Sequence, residues 1–215
     1  MHKELLRRYR VYSKRQEYRL RLVFSVVFFG LSLVLNQLAV HFSTVKASNS
    51  VTDLILSNTP VFDVANLFVY GTLVAIVASL LVGLQHPRYI PFALHSVTVF
   101  FIIRSLFVSL THLAPFEVHM ANDFGATINH AFFGADQFFS AHTGLPFLGA
   151  LLFWHEPRWR YFFLIMSIFF AIIVLLGHIH YSIDVLAAFF ITYGIYHICL
   201  WLFPGDRELF LSDHH

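Results

Sequence analysis

Six apolar runs, each long enough to cross a lipid bilayer as a helix, constrain this chain more than any other feature of it. They lie near Leu22–His41, Asn66–Leu84, Ile90–Leu110, Phe138–Trp154, Tyr161–Gly177 and Val185–Phe203. A helix rises 1.5 Å per residue, so a hydrocarbon core of about 30 Å takes about 20 residues, with a lower limit near 17. Inside lipid the backbone must satisfy its own hydrogen bonds, which selects helices for runs of this kind. Charged residues make up only 12% of the 215 positions, against about 25% in a soluble domain. A single greasy soluble core is excluded because every run reaches spanning length. The expectation is an all-α integral membrane protein: one six-transmembrane-helix bundle.

Charge gives that bundle an orientation. Eight of the fourteen Lys and Arg fall in residues 1–21: Lys3, Arg7, Arg8, Arg10, Lys14, Arg15, Arg19 and Arg21. A basic arm of this sort suits nucleic acid in other settings, but this one abuts a hydrophobic run. It reads instead as a topology signal attracted to anionic lipid, and no nucleic-acid partner is expected. Leu5, Leu6, Tyr9 and Tyr12 are spaced to lay it on the surface as a helix. With the N-terminus inside, Arg88, Arg158, Arg160 and Arg207 join the arm on the cytoplasmic side, and the outer connections keep only Lys46. Both termini are therefore expected to be cytoplasmic. The division is a basic cytoplasmic arm (1–21), a six-helix catalytic membrane domain (22–205) and a cytoplasmic tail (206–215). The first apolar run begins too late and runs too long for a cleavable leader, so it reads as a retained span. The lone Cys199 rules out an intrachain disulfide and reads as a small buried hydrophobe.

Ionisable groups at the edges of these runs need a reason, since polar residues at membrane depth are functional candidates by default. His142 opens the fourth run, and His180 follows the fifth, 38 residues later. Two crossings of about 20 residues account for that separation and return both histidines to the outer level. Asp184 stands four after His180, so on a helix the two share a face. A carboxylate there accepts the imidazole Nδ1–H, fixes the tautomer and leaves Nε2 free, which orients a nucleophile or base. Arg104 lies six residues inside the third run, roughly 9 Å deep. An unpaired Arg at that depth costs about 2.5–3.5 kcal/mol, so it must snorkel outward, pair with a carboxylate or hold a phosphate. Asp136, six residues before His142, is placed to orient that histidine or to pair with Arg104.

Two histidines, a carboxylate and an arginine suit phosphoryl transfer. One histidine attacks phosphorus, the other protonates the leaving oxygen, and the guanidinium offsets developing charge. Such a path through phosphohistidine requires no metal and no cofactor. A metal set of His178, His180, Asp184 and His142 meets a geometric objection, because residues two apart on one helix do not face each other. No Gly-rich nucleotide loop is present, so a soluble nucleotide donor is not expected. Other readings stay open: a hydrolase working at the same site, or a non-enzymatic protein that relays protons or handles metal.

At these residues the chain resembles the sphingomyelin synthase family, a branch of the wider type-2 phosphatidic acid phosphatase group. His180-Tyr-Ser-Ile-Asp-Val185, followed by Ala188-Phe-Phe-Ile-Thr192, is similar to that family's third motif. Asp136 and Ser140-Ala-His-Thr143 are similar to the second, with Ala141 where Gly is usual, and Arg104-Ser105 is more loosely similar to an upstream arginine segment. The resemblance covers roughly residues 90–197. It implies a six-helix fold with an extracytoplasmic site, His180 as nucleophile supported by Asp184, and His142 as acid and base. Arg104 would bind the substrate phosphate, with Asp136, Ser140 and Tyr181 in support. The partners implied are a membrane phospholipid donor and a lipid acceptor such as ceramide or diacylglycerol; a homo-oligomer stays open. The phosphatase branch expects Ser-Arg six residues before the nucleophile, where this chain has Ile173-Val174, and often Pro where Ser182 stands. Both departures favour the transferase branch.

Overall fold

The computed structural model describes residues 2–117 and 137–211, and among them it is helical without strands. The α-helices are α1 (His2–Lys14), α2 (Gln16–Lys46), α3 (Ala65–Gln85), α4 (Ile90–Leu110), α5 (Ala141–Leu152), α6 (Pro157–Leu176), α7 (Ser182–Leu202) and α8 (Pro204–Leu211). Short 3-10 turns stand at Leu56–Asn58 and Pro87–Tyr89. Five helices, α2, α3, α4 with its preceding turn, α6 and α7, are long and apolar enough to cross a membrane. Proline fits their starts, where its missing N–H is no loss: Pro91 in the first turn of α4, Pro157 opening α6 and Pro204 opening α8.

The fourth predicted run departs from expectation. Of Phe138–Trp154 only Ala141–Leu152 is helix, 12 residues or about 18 Å. Ser140 stops it at one end, its hydroxyl accepting the Thr143 N–H at 3.4 Å. Inside, Pro146 supplies no N–H for the carbonyl of His142 and crowds it, which disturbs the turn that carries that histidine. Yet α5 is the hub of the bundle. Its Thr143, Gly144, Pro146, Leu148 and Ala150 are all buried, and it packs on α3, α4, α6 and α7. A Cβ on Gly144 would stand 2.8 Å from Phe100 of α4 and 2.9 Å from Thr192 of α7. Only glycine lets three helices approach so closely there. Ser167 of α6 closes the fourth side by donating its hydroxyl to the Thr143 carbonyl at 2.8 Å.

The first run is longer than expected. Its helix α2 extends to 31 residues, about 46 Å, and packs along α4. The buried positions Tyr18, Ser25, Ser32 and Ala39 recur every seven residues. That period makes a continuous seam on a helix, and small side chains along it let two backbones close up in a membrane. Arg15 takes an extended conformation (φ −80°, ψ 117°) that separates α2 from the arm helix α1.

The two ends of the bundle differ in character. At the arm end, Tyr9 of α1 donates to the Leu84 carbonyl at 2.9 Å, and Tyr18 donates to that of Pro87 at 2.7 Å. Residues 206–211, expected as a tail, belong to α8 and fold back beneath the bundle. Asp206 is buried there, bonded to His95 Nδ1 at 2.6 Å and to Arg21 Nη1 at 3.1 Å, while Phe210 packs on Tyr89 and Phe92. Arg21 lies directly against Gly205, where any side chain would displace it. The histidine end is closed by the connections 47–64 and 111–117 folding over the start of α7.

Candidate functional site

His180 is set by a break in the chain. Gly177 ends α6, and His178 enters the left-handed region at φ 51°, where a C-terminal cap commonly sits. The N–H groups of Ile179 and His180 then return to the Val174 carbonyl at 2.8 and 3.4 Å. His180 therefore precedes α7, which begins at Ser182 with Tyr181 as its N-cap residue. The shared helix face that their spacing predicts for His180 and Asp184 is thus not formed. They meet across a helix start, where Asp184 also receives the Tyr181 N–H at 3.2 Å. A carboxylate in the first turn satisfies an N–H that the helix itself leaves open. His180 Nδ1 and Asp184 Oδ2 are 3.5 Å apart, with the side chains 3% and 0% exposed. That is ion-pair range and slightly long for a hydrogen bond.

His142 is brought to the same place by α6. Its ring lies 4.4 Å from that of Phe68 on α3 and 5.8 Å from that of Phe170 on α6. Phe170 and Val174 are four apart on α6, hence on one face, and both are buried. One histidine rests on the first and the other is bonded to the second. His142 thus lies against α6 at Phe170, and the main chain of His180 is tied to the end of the same helix at Val174, one turn further on. Main chain joins the two motifs as well: the Ser140 N–H donates to the Asp184 carbonyl at 3.2 Å, and Gln137 Nε2 to that of Ile179 at 3.1 Å. Before them Phe139 holds a positive φ of 36°, a strained state of the kind that gathers at functional sites.

Arg104 is 2% exposed and gives Nη1 to Asn36 Oδ1 of α2 at 2.9 Å. Phe100 and Phe107, four before and three after it, share its helix face and reach Phe139 at 4.9 Å and Phe138 at 5.2 Å. The guanidinium is accordingly at the level of the segment that leads into His142. One amide oxygen occupies one of its five donors. Asp136 lies outside the described residues. Among the described residues, no group of three His, Cys, Asp or Glu is arranged to hold a metal. His178 points elsewhere, its Nε2 3.4 Å from Thr59 Oγ1 and its ring against Phe116.

Asp53 was not singled out by the sequence. It is buried, with Oδ1 accepting the N–H groups of Ile55 (2.8 Å) and Leu56 (3.0 Å). Its Oδ2 accepts both the N–H (2.7 Å) and the hydroxyl (2.8 Å) of Ser182. Burial pushes this carboxyl up, but the hydrogen bonds from Leu56, Ser182 and Ile55 outweigh it and hold it below its ordinary value. Tyr181 completes the closure by donating its hydroxyl to the Ala114 carbonyl at 2.9 Å and accepting the Val51 N–H at 3.2 Å. The hint in the sequence was an acid set directly before the apolar Leu54-Ile-Leu56 of that connection. For Asn36 it was an amide in the middle of a spanning run.

Buried polar atoms nearly always find a partner. Among the described residues, Asp184 Oδ1, His180 Nδ1, Thr143 Oγ1 and Thr192 Oγ1 make no hydrogen bond. Two of these atoms belong to the His180–Asp184 pair, and Thr192 lies beside Gly144 of α5. No family model, no curated protein and no solved structure matches the chain.

Proposed function

We propose that the chain is a membrane lipid phosphotransferase of the sphingomyelin synthase type. In this reading it moves a phosphorylated head group from a glycerophospholipid to a lipid alcohol, ceramide-like or diacylglycerol. The observation that carries the reading is the joining of the segment that leads into His142 to the start of α7, Ser140 on the Asp184 carbonyl and Gln137 on that of Ile179, with Asp184 buried beside His180. α5 serves as a sixth crossing. It runs from Ser140, bonded to α7 at the histidine end, to Phe153, which stacks on His86 and Tyr89 at the other. The arm, the 155–160 turn and both termini face the cytoplasm, and the site faces the extracytoplasmic leaflet.

The proposed cycle gives each of these groups one role. Donor phosphate docks on Arg104, whose planar fork suits a phosphate held by two oxygens. Asp184 keeps the proton of His180 on Nδ1, so Nε2 attacks phosphorus and displaces diacylglycerol. His142 protonates the departing oxygen. It then takes the proton of the incoming hydroxyl, whose oxygen bonds to phosphorus as the P–N bond breaks. Water in place of the lipid alcohol makes the same site a phosphatase or phospholipase C-like hydrolase.

Mass spectrometry of lipids incubated with the purified chain, with and without ceramide, tests the proposal. A transferred phospholipid together with diacylglycerol is expected. Free phospho-head-group as the sole product would establish the hydrolase, and stoichiometric metal binding without lipid turnover would point to a non-enzymatic protein. His180→Ala should lower turnover by at least about three orders of magnitude, as removal of a nucleophile does, and leave elution of the folded protein unchanged. His142→Ala should cost about 10²- to 10⁴-fold, the usual reach of general acid–base catalysis.

A further inference from the structure

The phosphohistidine in this cycle faces a competition, because water and a lipid hydroxyl can both take the phosphoryl group. Three neighbours of His180 are gripped by the connection between α2 and α3. His178 meets Thr59, Tyr181 receives the Val51 N–H, and Ser182 is held twice by Asp53. The same strap is sewn to the segment after α4. Ser48 gives its N–H and its hydroxyl to the His112 carbonyl, each at 2.8 Å, and the Ala114 N–H reaches the Asn49 carbonyl at 3.4 Å. Tyr181 ties the two segments together through its hydroxyl. Beneath them His180 is 3% exposed and Asp184 fully buried. The buried acid is therefore spent on fastening a loop to the residues that flank His180.

We propose that this strap selects the acceptor, with Asp53 and Tyr181 as its specificity-determining residues. Closed, it keeps bulk water from the phosphorylated His180, while a lipid hydroxyl arrives from within the bundle. In transfer, the P–N bond breaks as the lipid oxygen bonds to phosphorus and its proton passes to His142. In hydrolysis, a water oxygen forms that bond, its proton takes the same path, and free phospho-head-group leaves. Chemistry at phosphorus is the same in both; access differs. The proposal rests on the phosphotransferase reading above.

The test uses the full chain in phospholipid nanodiscs with ceramide as acceptor, and reads the share of donor released as free phospho-head-group. A loss of catalytic power alone lowers both products together and leaves the share fixed. Asp53→Asn and Tyr181→Phe should each raise the hydrolysed share at least about fivefold, the population shift that follows from the loss of even one hydrogen bond. Should Asp53→Asn fail to fold, Ser182→Ala removes a single bond to the same carboxylate and should move the share in the same direction. An unchanged share in folded variants, or a wild-type chain that only hydrolyses, overturns the strap as selector. A wild-type chain that consumes no donor overturns the phosphotransferase reading and the strap proposal together.

Discussion

Single residues at the histidine end are set by groups far away in the chain. His180 owes its position to the left-handed turn at His178 and to the cap that Asp184 gives Tyr181, not to a helix face. Asp53 reaches the same turn from 129 residues away. Its carboxyl is held below the ordinary value of 3.8, so its bonds are intact above that value and are lost as pH falls through the lower folded one. Thermal unfolding in detergent should therefore show a stability loss below about pH 4 that is smaller in Asp53→Asn, which has given up that contribution at every pH. At neutral pH the same substitution should cost about 1.5–3 kcal/mol, the usual worth of hydrogen bonds to a charged group. A midpoint that falls equally steeply with acid in both proteins would sink this account of Asp53.

At the scale of elements, α5 and α2 show how small residues do structural work in an apolar chain. Hydrophobicity differs little between α4, α6 and α7, so what separates one packing from another is where backbones approach. Gly144 sets the meeting of α5 with α4 and α7, and the Ser25, Ser32, Ala39 seam sets that of α2 with α4. Gly144→Val would push against Phe100 and Thr192. It should lower stability by about 1–3 kcal/mol, read by thermal unfolding in detergent, and lower turnover because α5 carries His142. Tolerance of valine there would mean that α5 does not sit at the centre of the bundle.

For the molecule as a whole, the question is which end meets which compartment. The arm end is a docked assembly of α1, the Pro87–Tyr89 turn and α8, fastened by Asp206 to His95 and Arg21. The segments expected at that end carry twelve of the fourteen Lys and Arg, which is the basis for expecting it in the cytoplasm. Cysteines placed at exposed Asn49 and exposed Arg158 report on opposite ends, and the native Cys199 is buried away from aqueous reagents. In intact cells a membrane-impermeant maleimide should label Asn49→Cys and spare Arg158→Cys. The opposite pattern would turn the bundle over and place the histidines in the cytosol.

The apolar runs and the flanking cations by themselves determined that the chain is helical and able to span a membrane several times. Those are local consequences of length, hydropathy and the need to satisfy backbone groups in lipid. The spacing of His142, His180 and Asp184 also anticipated that their two segments meet, as the Ser140 N–H does with the Asp184 carbonyl, since two crossings bring a chain back to its starting level. Only the tertiary structure decided that the fourth helix is short and central, that His180 stands outside any helix, and that Asn36 and Asp53 reach Arg104 and Ser182. The last two contacts depend on side chains more than 60 residues apart in sequence meeting in space. No periodicity records such a meeting, because it is fixed by how closely whole helices can approach.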